Sequence, residues 1–153
     1  MVGLAFTVRY IPAREDLNTL EVFKNPNHPQ RVAVEECPKD YVLIFDSRKD
    51  PRAASAGAIL VTRLMVKGCA GVVTDGGFRD SNEIKNLQIP SYHNRASSPT
   101  NLTLHQAVDI NVPIGLSLYT SDDAQECLGV DKRCGRMIKN KGVGGGGVGG
   151  GGG

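Results

Sequence analysis

Arg79 and Asp80 stand side by side where a run of small and β-branched residues ends in two glycines, in the stretch GCAGVVTDGGFRDSNEI. An arginine guanidinium can bind a carboxylate through two parallel hydrogen bonds. An aspartate carboxylate can hold Mg²⁺, which usually takes one or two protein oxygens and keeps several waters. The pair therefore has the chemistry to bind a small anionic ligand beside a metal ion.

The same two residues also have a purely structural interpretation. Asp80 and Glu83 match the Asp-x-x-Glu pattern of a capping box at the start of a short helix. Gly76 and Gly77 then supply the turn, and Arg79 is a surface charge. Spacing alone leaves the structural and the functional interpretation open.

A second segment offers backbone rather than side-chain chemistry. If the N–H groups of Gly57-Ala58-Ile59-Leu60 are free at a helix start, they form an anion site opposite Arg79. Ligands of open α/β sheets lie beyond the carboxyl ends of strands, and Arg79 and Asp80 follow a predicted strand there. Together these parts would bind a small 2-oxo acid through its carboxylate and its keto oxygen.

The elements that must position these residues alternate between strands and helices. Apolar or alternating runs predict strands at GLAFTVRYI, RVAVEE, YVLIFDSR, AGVVTD and IPSY. Short helices are predicted within DLNTLEVFKNPNHPQ, which also contains a loop, and at DSNEIKNL. This order predicts an α/β fold with at least a partly parallel sheet.

The longest predicted helix covers DPRAASAGAILVTRLMVKG. Ala56, Ile59, Leu60 and Leu64 recur there at spacings near the helical period, which assigns them to one face. Gly68 is a natural C-terminal stop.

Composition excludes several classes of function. The chain has 153 residues, of which 40% are hydrophobic and 22% charged, as is ordinary for a soluble globular protein. A net charge of +2 gives no argument for nucleic acid or an anionic membrane as partner. No apolar run approaches the ~18 residues that span a bilayer, and no secretory signal is visible, so the predicted location is cytoplasmic.

The four cysteines predict no metal centre. Cys37, Cys69, Cys127 and Cys134 form no Cys-x-x-Cys pair and have no accompanying histidine pair. Reduced thiols in the cytosol are the interpretation that this spacing favours.

The chain changes character after Gly115. Residues 1–115 predict one α/β domain, whereas residues 116–153 have weak periodicity and end in GVGGGGVGGGGG. Such a segment buries too little apolar area to offset its ordering entropy. We therefore predict a divergent, disordered tail over 116–153.

The stretch from GLAFTVRY through RAASAGAILVTRLMVKGCAGVVTDGGFRDSNEI to YHNRASSPTNLTLHQAVDINVPIG resembles the RraA-like family. That family includes regulators of ribonuclease activity and class II aldolases for 4-hydroxy-4-methyl-2-oxoglutarate. The resemblance covers roughly residues 3–115, and its most specific part is a Gly-x-x-Leu tetrad, here Gly57 to Leu60, followed at the expected distance by Arg79 and Asp80. It implies a swivelling β/β/α-type sandwich assembled as a homotrimer or a hexamer, with the site at a subunit interface.

The aldolase branch of the family implies roles for these residues. The backbone of Gly57, Ala58, Ile59 and Leu60 would bind the substrate together with Arg79, which would also stabilise a pyruvate enolate. Asp80 would hold Mg²⁺ or Mn²⁺. The implied activity is that of a divalent-metal-dependent lyase that releases pyruvate, from hydroxymethyloxoglutarate by retro-aldol cleavage or from oxaloacetate by decarboxylation.

The sequence departs from the family pattern in three places. Ala58 stands where the aldolases usually carry an acid that helps to order the catalytic water. Asp46, Asp75 and Glu83 are candidate substitutes for the base, with solvated or capping roles as the alternative. The family's first helix, and its last strands and C-terminal helix, find no counterpart, so the domain is predicted to be truncated at both ends.

Two other functions stay open beside the lyase. One is a non-catalytic RraA-like regulator that binds a ribonuclease or another protein, and the other is an inactive truncated homologue. The regulator branch tends to lack the acid after the arginine, so Asp80 favours the lyase, whereas Ala58 favours the alternatives.

The histidines carry weaker expectations. His28 is predicted to be solvated in a turn, and His105 to lie in a helix or loop without chemistry. His93 follows a predicted strand end, where it either faces the site or makes a structural hydrogen bond.

Overall fold

The computed structural model describes residues 1–14, 16–115, 128–131 and 136–139. Its strands are β1 (Leu4–Pro12), β2 (Tyr41–Asp46), β3 (Ala54–Ala56), β4 (Gly71–Thr74), β5 (Gly77–Phe78), β6 (Ser91–Tyr92), β7 (Arg95–Ala96), β8 (His105–Ile110), β9 (Leu128–Asp131) and β10 (Arg136–Lys139). Its helices are α1 (Pro29–Glu36), α2 (Ala58–Val66) and α3 (Ser81–Ile84), with 3₁₀ helices at Leu20–Lys24 and Asn101–Thr103.

The larger sheet has the strand order β6-β4-β2-β1-β10-β9, and β8 also pairs with β1. Strands β1, β2, β4 and β6 are parallel, whereas β8 and β10 run antiparallel to β1. The central β2 is buried on both faces, as its continuous apolar run predicts. Leu43 and Phe45 face the main core with Val61 and Leu64 of α2, and Val42 belongs to a smaller cluster.

The smaller sheet has the order β3-β5-β7, and its three strands are parallel. One residue, Gly57, separates β3 from helix α2, and two residues, Arg79 and Asp80, separate β5 from α3. Two sheets combined with helices confirm the α/β class and the partly parallel pairing that the sequence predicts.

The strand prediction for RVAVEE was wrong, because these residues belong to helix α1. Pro29 occupies the first turn, where its missing N–H costs nothing. Gln30, Ala33 and Val34 are buried at the spacing of one helical face. In so short an apolar run the helical period of 3.6 residues cannot be told from the strand period of 2. Packing against β1 and β8 favours the helix.

The long helix predicted over DPRAASAGAILVTRLMVKG was half right. Ala54–Ala56 forms strand β3, and the helix covers only Ala58–Val66. Its buried residues are Ala58, Val61 and Leu64. Of the residues assigned to one helix face, Leu64 is buried and Leu60 packs against the core, whereas Ile59 is 78% exposed. The predicted helix was too long because Gly57, which has an extended backbone, separates a strand from a helix within one apolar run.

Two histidines differ from their predictions. His28 closes a turn, as predicted, because its N–H donates to the Asn25 carbonyl at 3.1 Å. Its side chain is buried rather than solvated, with its ring 5.2 Å from that of Phe23, and burial lowers its pKa. His105 begins strand β8, is buried, and packs edge-on against Tyr10 with ring centroids 4.8 Å apart, so its predicted helix or loop position was wrong.

Other predictions fall partly outside the described residues. Cys37 and Cys69 are buried free thiols, and Cys127 and Cys134 lie outside. The predicted tail includes β9 and β10, while its remaining residues are not described. Within the described ranges, no helix is long and apolar enough to cross a membrane.

His105 makes the fold sensitive to acid. Neither ring nitrogen has a hydrogen-bond partner. Burial lowers the pKa of His105 to about 4, although the carboxylate of Asp50 acts in the opposite direction. The unfolded chain, with an ordinary histidine pKa of about 6.5, therefore binds the proton first, and stability falls as the pH drops from about 6.5 towards 4.

We expect His105→Phe to remove this component of the acid sensitivity. Between pH 7 and pH 4.5, the free energy of unfolding of the wild type should fall by about 2 to 3 kcal/mol more than that of the variant. Urea unfolding of both chains at the two pH values measures the difference. Equal losses in the two chains would contradict the prediction.

Candidate functional site

The tetrad and the Arg79-Asp80 pair meet because β3 and β5 are parallel neighbours. Ala54 pairs with Gly77 and Ala56 with Phe78, so the carboxyl ends of both strands lie at one edge. The N–H of Arg79 donates to the Ala56 carbonyl at 3.1 Å and continues this pairing. Arg79 and Asp80 thus follow β5 of the small sheet, one strand later than the AGVVTD strand after which they were predicted.

Gly57 sits where no side chain fits. A Cβ at this position would lie 2.7 Å from Arg79 Nε and 2.8 Å from Asp80 Oδ2. The backbone of Gly57 is extended, so space rather than conformation requires glycine here. The tetrad and the charged pair are therefore in direct van der Waals contact.

Asp80 does not form the predicted capping box. It precedes α3 in a left-handed conformation (φ 57°), which aspartate tolerates better than most residues. Its side chain makes no capping hydrogen bond to α3. Oδ2 instead accepts the N–H of Ala58 at 3.2 Å and lies 3.6 Å from Arg79 Nε. The carboxylate thus caps the other helix, α2, where the helix dipole favours a negative charge.

The first turn of α2 is only partly free to bind an anion. Asp80 occupies the N–H of Ala58, and the N–H of Val61 bonds to the Gly57 carbonyl. The N–H groups of Ile59 and Leu60 have no acceptor among the residues that the structure describes. Two of the backbone donors expected from the tetrad are therefore available.

A cleft of about 220 Å³ opens at this edge of the small sheet. Of the predicted site residues, Gly57, Ile59, Leu60 and Arg79 line it. Ala58 is buried, and Asp80 contacts Arg79 without lining the cleft itself. The structure thus brings all of the predicted residues together at one place.

Other cleft residues were not found from the sequence. Gln30 and Arg31 come from the first turn of α1, and Thr100 and Asn101 from the start of the second 3₁₀ helix. The Gln30 amide donates to the Ser55 carbonyl at 2.5 Å. Asn101 is 3% exposed, and its Nδ2 lies near the Tyr10 hydroxyl without a hydrogen bond of ordinary length and angle to any described residue. Gln30 and Arg31 could have been found from the sequence if α1 had been predicted as a helix.

None of the candidate bases lines the cleft. Asp75 is fully buried, accepts N–H groups from Ser47 (2.7 Å) and Lys49 (3.0 Å), and has a pKa that burial raises. Asp46 accepts the N–H of Arg48 at 3.0 Å. The capping alternative given for these carboxylates thus describes Asp46 and Asp75 better than a catalytic role.

His93 is also remote from the cleft. It lines a different cavity beside α3, and its ring centroid lies 5.3 Å from that of Phe78. Its Nδ1 is buried and makes no hydrogen bond. His93 therefore does not line the cleft, and its Nδ1 makes no structural hydrogen bond to the described residues.

The donor set at Asp80 suits a weakly coordinated hard cation. No group of three or more His, Cys, Asp or Glu side chains in the described part of the chain is arranged to hold a metal. Asp80 Oδ2 accepts the N–H of Ala58, whereas Oδ1 makes no hydrogen bond to any residue that the structure describes. Mg²⁺ held by one carboxylate oxygen and several waters fits this arrangement, whereas a metal that needs several protein ligands does not.

A family model described as RraA-like, Aldolase/RraA, matches residues 1–123. No curated protein matches the chain. Among solved structures, RraAS2 of Streptomyces coelicolor, described as an unusual member of the RNase ES inhibitor RraA protein family, is similar with a TM-score of 0.64 and 23% identity. The similarity covers 75% of this chain and 53% of that one.

Two further solved structures share the fold. One is a protein of Geobacillus kaustophilus described as S-adenosylmethionine:2-dimethylmenaquinone methyltransferase (TM-score 0.53, 25% identity, 75% of this chain and 63% of that one). The other is described as the RNA-processing inhibitor RraA from Thermus thermophilis (TM-score 0.50, 26% identity, 75% and 62%). This chain thus spans between about half and two thirds of each of these three proteins.

We expect Gly57→Ala to disturb the site without unfolding the protein. The atoms that the new Cβ meets belong to the Arg79 and Asp80 side chains, which can move. The free energy of unfolding should therefore change by less than about 1 kcal/mol. The amide of Ala58 should lose its hydrogen bond to Asp80 and exchange its hydrogen faster. Thermal unfolding and hydrogen exchange measure the two effects.

Gly115→Ala is the matched control, since a Cβ there meets no atom of the described residues within 4 Å. An Ala58 amide that exchanges equally slowly in both variants would show that the close packing at Gly57 does not hold the charged pair.

Proposed function

Since this chain belongs to the RraA-like family, we propose that it is a divalent-metal-dependent lyase that cleaves a carbon–carbon bond of a small 2-oxo acid and releases pyruvate. The observation that carries the proposal is that Arg79 and the first turn of α2 line one cleft, while Asp80 contacts both of them from beside it. The proposed substrates are oxaloacetate and 4-hydroxy-4-methyl-2-oxoglutarate.

Arg79 is the proposed anchor for the carboxylate beside the keto group. Its Nε faces Asp80, and its terminal nitrogens make no hydrogen bond within the described residues, which leaves them for a bidentate ligand. The N–H groups of Ile59 and Leu60 add the positive end of a nine-residue helix at the same cleft. These donors would orient a 2-oxo acid by its negatively charged end.

Asp80 is the proposed ligand of Mg²⁺ or Mn²⁺ through its free Oδ1. When bound, the ion would polarise the keto oxygen as a Lewis acid. The contribution of the chain itself is orientation, because the Ala58 N–H and the Arg79 guanidinium together hold the carboxylate in one position. This also explains why the aspartate is placed to cap α2 rather than α3.

Cleavage between the third and fourth substrate carbons would leave its electron pair in a pyruvate enolate. The guanidinium of Arg79 and the N-terminus of α2 supply positive charge for that oxyanion. In decarboxylation CO₂ leaves directly, and water then protonates the enolate carbon. Aldol cleavage also requires a base for the 4-hydroxyl proton, and no carboxylate or imidazole of the described residues lines the cleft. The arrangement therefore supports decarboxylation better than aldol cleavage.

A non-catalytic, protein-binding role is the second candidate. Two of the similar structures are described as inhibitors, one within the RNase ES inhibitor family and one of RNA processing. In this chain, Ile59 and Val66 lie two turns apart on α2 and are 78% and 70% exposed. These apolar side chains form a surface that a partner protein would cover.

The lyase proposal predicts Mg²⁺-dependent pyruvate release from oxaloacetate that exceeds release in enzyme-free buffer with the same metal. EDTA should abolish the excess, and release from hydroxymethyloxoglutarate should be slower because no base among the described residues lines the cleft. Asp80→Asn should lower kcat/KM about 100-fold or more, since it removes the charge that holds the ion. A coupled assay for pyruvate measures each rate.

Asp109→Asn is the matched control, because Asp109 pairs with Arg9 at the surface. Unchanged turnover in Asp80→Asn would refute the assigned role. A folded chain without any turnover would instead favour the protein-binding candidate or an inactive homologue.

A further inference from the structure

Arg31 brings a second positive charge into the cleft. It is the third residue of α1, where its N–H donates to the His28 carbonyl at 2.8 Å, and it lines the cleft with Arg79. Asp80 partly balances the charge of Arg79. Arg31 is exposed and makes no salt bridge with any carboxylate of the described residues. The described lining of the cleft therefore includes two arginines and no acidic residue.

Asn101 adds a buried amide to the same cleft. It is 97% buried, and its Nδ2 lies near the Tyr10 hydroxyl without a hydrogen bond of ordinary length and angle to any described residue. Buried polar groups in native proteins are nearly always paired, so an acceptor atom of a ligand would complete the hydrogen bonding that the Tyr10 hydroxyl leaves incomplete. At about 220 Å³ the cleft lies below the usual range for drug-sized ligands and suits an acid of a few carbons.

We propose that Arg31 is the specificity-determining residue of this cleft and binds the second carboxylate of a dicarboxylic 2-oxo acid. The inference rests on the proposed function, in which Arg79 binds the first carboxylate, and it adds the reason why a dicarboxylate is preferred. The Asn101 amide supplies a further donor to the same ligand. A monocarboxylic 2-oxo acid would leave Arg31 unpaired, and a site built to pair a polar group discriminates against a ligand that lacks the partner.

The test uses two ligands that differ only at the far end. 2-Oxoglutarate and 2-oxopentanoate have five carbons and the same 2-oxo acid group, and only 2-oxoglutarate carries a second carboxylate. Isothermal titration of the full chain with each ligand, in the presence of Mg²⁺, gives the two dissociation constants. The wild type should bind 2-oxoglutarate about tenfold or more tightly than 2-oxopentanoate, as a charge-assisted hydrogen bond provides.

Arg31→Gln should abolish this preference and leave the affinity for 2-oxopentanoate within about twofold of the wild type. Arg31→Lys should retain part of it, because the charge remains without the fork of donors. Arg63→Gln is the matched control, since Arg63 pairs with Glu35 outside the cleft. The control should keep the full preference.

Arg79→Gln separates this inference from the proposed function. If it loses both ligands while Arg31→Gln keeps the preference, the role of Arg31 is refuted and the proposed site stands. Equal weakening of both ligands by Arg31→Gln also refutes the role. Binding that Arg79→Gln leaves unchanged, or no binding by the wild type, overturns the inference together with the proposed function.

Discussion

The hydrogen bonds of Ser55 hold the small sheet to the rest of the molecule. Ser55 is fully buried in the middle of β3, and its backbone oxygen accepts the Tyr10 hydroxyl at 2.9 Å and the Gln30 amide at 2.5 Å. Its own hydroxyl lies 2.5 Å from that of Ser47 and 2.9 Å from that of Thr74. These partners come from β1, α1, the turn after β2 and the end of β4. Because a satisfied buried network specifies one arrangement, β3 has a single position.

The position of β3 determines where the charges of the cleft lie. Strand β3 leads directly into Gly57, and its parallel neighbour β5 leads into Arg79 and Asp80, so both loops leave from one edge. The hydrogen bond from Gln30 to Ser55 also holds the first turn of α1 against β3, and Arg31 is the next residue. One buried network thus positions the backbone of Arg31 and of Arg79, although the two residues lie far apart in the chain.

The parts of the site that follow from local pattern were predictable. The Arg79-Asp80 pair was proposed because two charges of recognisable chemistry follow a predicted strand and two glycines. The tetrad was proposed from the backbone N–H groups expected at a helix start and from the resemblance to the RraA-like family. Arg31 and Asn101 were missed because their places depend on contacts between distant segments, and the first lies on a helix predicted as a strand. The sequence also did not predict which helix the Asp80 side chain caps. Its capping partner, Ala58, lies 22 residues away, and a capping box describes only neighbours.

The charged pair Arg79-Asp80 is exposed, so the strength of its interactions depends on whether another surface covers it. The side chains of Arg79 and Asp80 are 42% and 39% exposed, so water screens their interaction with each other and with any bound anion. Ile59, which lines the same cleft, presents an apolar side chain to solvent beside them. A surface packed on Ile59 would remove water from the cleft and strengthen each of these charges at once. The subunit interface that the family resemblance implies would act in this way, and the proposed lyase activity and the expected trimer are therefore physically connected.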